Sequence, residues 1–185
     1  MAKEQQTNWF GKGKIVNSVR FVVNGPFVVE KKKAGTRHNN SWILDEDKIA
    51  SFKANAKHKA YSEKKGCYVF AVKAGKGSVP IYVGRSNKNL LHEAFSCDKI
   101  RKVNKYLEDC SRAKILIYFI VIEGSGNKNI DDCESYLIDL AKNANPDLIN
   151  QRKVKRWSIE GIRGESNLGK PTNSVRQLKK CLNIK

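Results

Sequence analysis

Residues 114–122 read Lys-Ile-Leu-Ile-Tyr-Phe-Ile-Val-Ile, an almost unbroken run of β-branched and aromatic side chains. A strand with one wet face alternates apolar and polar residues; a run without that alternation must be covered on both faces. This stretch therefore predicts a central strand with helices on either side. Two further β-forming runs, residues 66–73 and 81–85, flank the glycine-bearing loop 74–80 and predict a β-hairpin. Tyr68 and Tyr82 stand at corresponding ends of the two runs, each close to a glycine that lets another group approach the backbone.

The helices follow from apolar spacing and end signals. Asp45-Glu46-Asp47 opens a helix to about residue 60, with acids first and Lys53, Lys57 and Lys59 later, matching the helix dipole. Residues 87–95 have short helical character, and Asp98 is the expected N-cap of a helix to Leu107. From residue 130 to 142, Ile130, Cys133, Leu137, Ile138 and Ala141 form a core-facing stripe that Asn145-Pro146 ends. Residues 174–182 predict a short basic terminal helix. At the start, residues 15–27 read as a strand closed by an Asn24-Gly25-Pro26 turn. A partner strand then runs from Phe27 into Lys31-Lys32-Lys33, three lysines that blunt a sheet edge or touch phosphate. The expected architecture is α+β: a small, mainly antiparallel sheet flanked by helices. Residues 1–60 form a β-hairpin and helix extension, 61–162 the core, with Trp157-Ser158-Ile159 as a last strand, and 163–185 a basic tail.

Charge narrows the partner. The chain carries 36 basic against 18 acidic residues, a net +18. Residues 1–60 hold 12 basic and 5 acidic residues and residues 151–185 hold 10 and 2, whereas 61–150 are nearly balanced at 14 and 11. Basic flanks around a near-neutral centre suit a phosphate backbone gripped from outside. No apolar run approaches the roughly 20 residues of a membrane span, and the N-terminus lacks an apolar leader, so a soluble, cytoplasmic protein with no membrane partner is expected. Five scattered cysteines without a C-x-x-C pair, and three histidines far apart, argue against a structural zinc site or a disulfide framework.

Glu134 is the most telling charged residue. It lies four residues from both Ile130 and Ile138, inside the apolar stripe, where a carboxylate is costly unless paired. An ion pair with a lysine or arginine would satisfy it; so would a hard divalent cation, which binds through one or two carboxylates plus water and phosphate oxygens.

Taken together, Gly66-Cys67-Tyr68, Tyr82-Val83-Gly84, the Glu134 helix and Asn150 in the segment Pro146-Asp147-Leu148-Ile149-Asn150 resemble the GIY-YIG nuclease superfamily over roughly residues 64–150. Cys67 and Val83 stand where that signature usually has isoleucine. The resemblance implies a metal-dependent endonuclease that hydrolyses phosphodiester bonds, on DNA in preference to RNA, in a restriction, phage-defence or mobile-element setting. It implies Mg²⁺ or Mn²⁺ held by Glu134, a catalytic part for Tyr68 or Tyr82 at the attacking water, and a site role for Asn150. It also implies a basic group that stabilises developing charge. The family's usual arginine falls at His92 here, so that role passes to Arg85, His92, Lys99 or Arg101, with Lys73 as a further candidate. Should none of them reach the site, the resemblance implies a weak or inactive relative. Lys73, Lys99 and Arg101, with Arg152, Lys153, Lys155 and Arg156 of the basic run, are the expected nucleic-acid contacts. One centre per chain makes a homodimer an attractive arrangement for double-strand cleavage. The competing reading is a non-catalytic DNA- or RNA-binding protein on the same scaffold.

Overall fold

In the computed structural model, residues 20–34, 41–75, 77–110, 113–123, 127–150 and 172–184 are described. They form six strands and six helices: β1 (Arg20–Val29), β2 (Lys32–Ala34), β3 (Ser41–Ile43), α1 (Glu46–Ala54), α2 (Ala56–Lys59), β4 (Gly66–Ala74), β5 (Gly77–Ser86), α3 (Leu90–Ala94), α4 (Cys97–Asp109), β6 (Lys114–Glu123), α5 (Asn127–Ala144) and α6 (Asn173–Cys181). The main sheet has the order β1-β6-β4-β5, and every neighbouring pair is antiparallel. The fold is α+β, as the sequence predicts, and β6 lies inside the sheet with buried side chains on both faces.

Alternate residues of the sheet feed two cores. Val69, Tyr118 and Ile120 pack with Leu137 and Ala141 of α5 and with Val175 and Leu178 of α6. Tyr68, Phe70, Ile117 and Phe119 pack on the other side with Ile49 and Phe52 of α1, Leu90 and Leu91 of α3, and Val103 and Leu107 of α4. Each fully buried aliphatic or aromatic side chain contributes roughly 1.5–3 kcal/mol. Residues on both sides of the expected core boundaries share these clusters: β1 is an edge strand of the main sheet, and α6 closes one core. β1, from Arg20 onward, is thus part of the main sheet and its cores.

Three local expectations are corrected. Asn24-Gly25-Pro26 does not turn the chain back. β1 pairs with β6 before it, through Asn24↔Phe119, and after it, through Phe27↔Ile117, with a register shift between. Pro26 has no N–H for the ladder, so the segment bulges and the strand resumes. The hairpin in this region is instead the small pair β2–β3. The helix expected to reach residue 60 breaks at Asn55, whose side chain accepts from the Lys57 N–H at 3.0 Å and so caps α2 instead of continuing α1. Ser96, not Asp98, is the N-cap of α4; Asp98 sits in its first turn and pairs with Lys99, Arg101 and Lys102.

Two of the three lysines after β1 are engaged locally. Lys31 donates to the Ala113 carbonyl and lies 5.6 Å over the Trp42 ring, while Lys32 pairs with Asp45 at 3.0 Å. The basic run 151–156 and the strand expected at 157–159 lie outside the described residues.

Candidate active site

The hairpin register explains why glycines accompany the tyrosines. Tyr68 of β4 faces Gly84 of β5. A Cβ on Gly84 would sit 2.4 Å from both Cζ and Oη of Tyr68, so the missing side chain is the space the ring occupies. Gly66 has φ +147°, and a Cβ there would lie 2.0 Å from the Ile120 carbonyl oxygen of β6. One glycine admits the phenol; the other admits the neighbouring strand.

Tyr68 and Tyr82 then lie near parallel, ring centroids 6.2 Å apart at 26°. Both line a cleft of about 580 Å³ at the β5 edge of the sheet, together with Arg85, Glu93, Lys99 and Glu134. Helix α5 carries Glu134 to this cleft, α4 carries Lys99, the end of β5 supplies Ser86, and the loop between β5 and α3 supplies Asn87, Lys88 and Asn89. That loop is held by its own side chains. The Ser86 hydroxyl accepts from the Asn89 N–H at 2.9 Å, and Asn89 caps α3 by accepting from the His92 N–H at 2.9 Å.

Electrostatically the cleft is paired, not empty of charge. Glu134, with a side chain only 12% exposed, receives Arg85 Nε at 3.0 Å, and Arg85 Nη1 donates to Asp131 one turn earlier on α5. Lys99 lies 3.5 Å from Glu93 and 3.4 Å from Asp98. Burial tends to lower the Lys99 ammonium, but Tyr82, Glu93 and Asp98 outweigh it and hold its pKa above the ordinary lysine range. Burial raises the Tyr82 phenol, and Lys99 opposes that shift without cancelling it. Burial pushes Tyr68 much further up, with Tyr82, Glu93 and Glu134 adding to the effect. The Tyr68 hydroxyl is fully buried and has no hydrogen-bond partner. An unsatisfied buried hydroxyl costs about 1–3 kcal/mol, which a water or ligand oxygen in the cleft would recover.

Of the residues singled out from sequence, Tyr68, Tyr82, Arg85, Lys99 and Glu134 come together. His92 does not: it is exposed on α3, because Leu90, Leu91 and Ala94 take the buried face of that short helix. Lys73 is exposed near the far end of β4, five residues or roughly 17 Å of strand beyond Tyr68. Arg101 projects into solvent, 81% exposed, against Asp98. Asn150 serves the scaffold. Its Oδ1 accepts from the Val83 N–H at 3.1 Å and its Nδ2 donates to the Val83 carbonyl, so both ends of the amide are spent on β5. Arg152, Lys153, Lys155 and Arg156 are outside the described residues. Glu93, the neighbour of His92 on α3, faces Lys99 across the cleft.

Among the described residues no group of three or more histidine, cysteine, aspartate or glutamate side chains is placed to hold a metal ion. The oxygens that do line the cleft, the Glu134 and Glu93 carboxylates with the Asn87 and Asn89 amides, are the hard donors a Mg²⁺-type ion takes singly or in pairs. The donor set therefore fits such an ion bound largely through water and substrate. No helix among the described residues is long and apolar enough to cross a membrane. Compared with known proteins, the chain matches no family model, no curated protein and no solved structure.

Proposed function

We propose that this cleft hydrolyses phosphodiester bonds in DNA, as a metal-dependent endonuclease of the GIY-YIG kind. The observation that carries the reading is the convergence of two phenols, the Glu134 carboxylate and two cations in one cleft at a sheet edge. Phosphodiester hydrolysis needs an oriented water and a means of dispersing negative charge. Tyr82 is the better placed phenol for the water, since Lys99 beside it favours its ionised form. At neutral pH in the free protein Tyr82 is a neutral phenol, so it orients the water through its hydroxyl. Tyr68, further from ionisation, offers its unpartnered hydroxyl to a water or phosphate oxygen. Arg85 and Lys99 take the charge-stabilising role that His92 is too far out to fill. Glu134 would hold Mg²⁺ or Mn²⁺, with Glu93 across the cleft, and the ion would supply Lewis-acid neutralisation of the phosphate.

Supercoiled plasmid incubated with the protein and Mg²⁺ or Mn²⁺ tests this directly. Nicking that disappears on chelation and in Glu134→Ala is expected; cleavage unchanged in that variant overturns the assignment. A second reading is favoured by one observation, the existing Arg85–Glu134 pair: the scaffold binds nucleic acid without cutting it. Binding that weakens steeply with salt and no cleavage with either metal would select that reading.

A further inference from the structure

Arg85 is shared between two carboxylates of unequal standing. Its Nε holds Glu134, nearly enclosed at 12% exposure, and its Nη1 holds Asp131, whose side chain is 53% exposed. The two acids are three residues apart on α5 and so sit one above the other on the same flank. Glu134 borders the cleft and Asp131 does not. A divalent cation at Glu134 competes with the Nε contact, because the guanidinium and the cation repel each other when both lie close to one carboxylate. The planar fork of arginine presents separate N–H groups in fixed directions, so one contact can break while the other persists; a lysine head group is a point charge without that fixed fork.

We propose that Asp131 is a positioning residue for the metal-bound state: it retains Arg85 when a divalent cation takes over Glu134, keeping the guanidinium at the cleft rim. The inference rests on the proposed metal-dependent activity and concerns a residue that touches neither metal nor substrate. Arg85 thereby has two stations. In the free protein it bridges both acids and neutralises Glu134; with the cation bound it swings its full charge onto Asp131, still beside the scissile phosphate. Asp131 can serve as the second station because solvent already hydrates it, so it needs no rearrangement to hold the arginine alone.

The test is a double-mutant cycle on cation binding, using the full chain and Mn²⁺ alone, with free ion counted by electron paramagnetic resonance. Asp131→Asn should weaken Mn²⁺ binding about tenfold, a coupling of the size measured between neighbouring charged groups. In an Arg85→Met background the same change should matter less than about threefold, since no arginine then competes for Glu134. Arg85→Lys, which keeps the charge but is shorter and lacks the fixed fork, guards against a folding defect in Arg85→Met and should also shrink the Asp131 effect. Equal losses in all backgrounds, or no loss in the parent, overturn the proposal. Glu134→Gln separates the two failures. If Mn²⁺ binding needs Glu134 but the cycle is flat, only the role of Asp131 falls; if binding ignores Glu134, the metal reading falls and takes this inference with it.

Discussion

Gly84→Ala is the sharpest probe of the hairpin. The added methyl would lie 2.4 Å from Tyr68 Cζ and Oη and 2.8 Å from Cε2. Contacts under 3 Å cannot stand, so either the ring or the strand must move. The ring is closely held although it borders the cleft: Tyr68 is fully buried, with Phe70 and Tyr82 against it. Backbone strain plays no part, since the left-handed φ values in this hairpin fall on Gly66 and Gly75 and not on Gly84. The cost is therefore that of overpacking, about 1–3 kcal/mol, and the rigidity of the site puts it near the upper end. For a chain of this size each kcal/mol lowers the melting temperature by about 2–4 °C, so a drop of roughly 5–10 °C is expected. Denaturant unfolding of Gly84→Ala, Tyr68→Leu and the double variant gives the decisive comparison. Leucine lacks the outer ring atoms, so the alanine penalty should fall by more than half in the Tyr68→Leu background. A penalty below about 0.5 kcal/mol in the parent, or one that persists in full beside leucine, would refute the claim that Gly84 exists to admit the Tyr68 ring.

Every one of the six tyrosines has its phenol raised by burial. Ultraviolet titration of the folded protein should therefore show little phenolate near pH 10; because the unfolded chain sheds those protons first, stability falls as pH rises above about 10, and a normal tyrosine titration without unfolding would contradict the packing. Asp98 is held down to about 2 by its hydrogen bond and charge pairing with Lys102, aided by Arg101 and Lys99. A depressed carboxylate stabilises above its unfolded pKa and stops doing so as pH falls, so parent and Asp98→Asn should differ at pH 7 and converge towards pH 2 in thermal melts. Asn150→Ala removes two hydrogen bonds to Val83 and should cost about 1–3 kcal/mol by chemical denaturation, with faster amide exchange at Val83; an unchanged exchange rate would argue against the clamp.

Much of this architecture was legible because its signals were local. The unpolarised run at 114–122 demanded a covered strand, and the two β-rich runs around a glycine loop demanded a hairpin. What escaped depended on partners distant in sequence. Asn24-Gly25-Pro26 supplies the same chemistry to a turn and to a bulge, and β6 decides between them by pairing on both sides. Asn55 offered no sign that its side chain would outcompete the α1 ladder. At the site, the stripe argument singles out Glu134, and the same pattern recurs on α4, where Lys99 precedes Val103 and Leu107 at four-residue steps. Apolar spacing also places His92. With Leu90, Leu91 and Ala94 inward, residue 92 of α3 points about 150° from the centre of the buried face and residue 93 falls on its flank. That is why Glu93, and not His92, meets Lys99.

The position of the cleft follows from how the sheet edge is covered. β5 is an outer strand, and its unpaired backbone groups need partners. The segment after α5 supplies them in sequence: Asn145 Nδ2 donates to the Pro80 carbonyl at 2.7 Å, the Ile149 N–H to the Ile81 carbonyl at 2.9 Å, and Asn150 closes both groups of Val83. Among the described residues, coverage by this segment ends there. From Tyr82 to Ser86 β5 borders the cleft, where the two phenols meet charged and amide side chains. The same segment that protects the edge also ties α5 to β5, which fixes the height of Glu134 relative to Tyr82 and Arg85. An asparagine spent on the β5 backbone therefore sets the geometry of the cleft, because loosening it would let the acid and the phenols slide along the strand relative to each other.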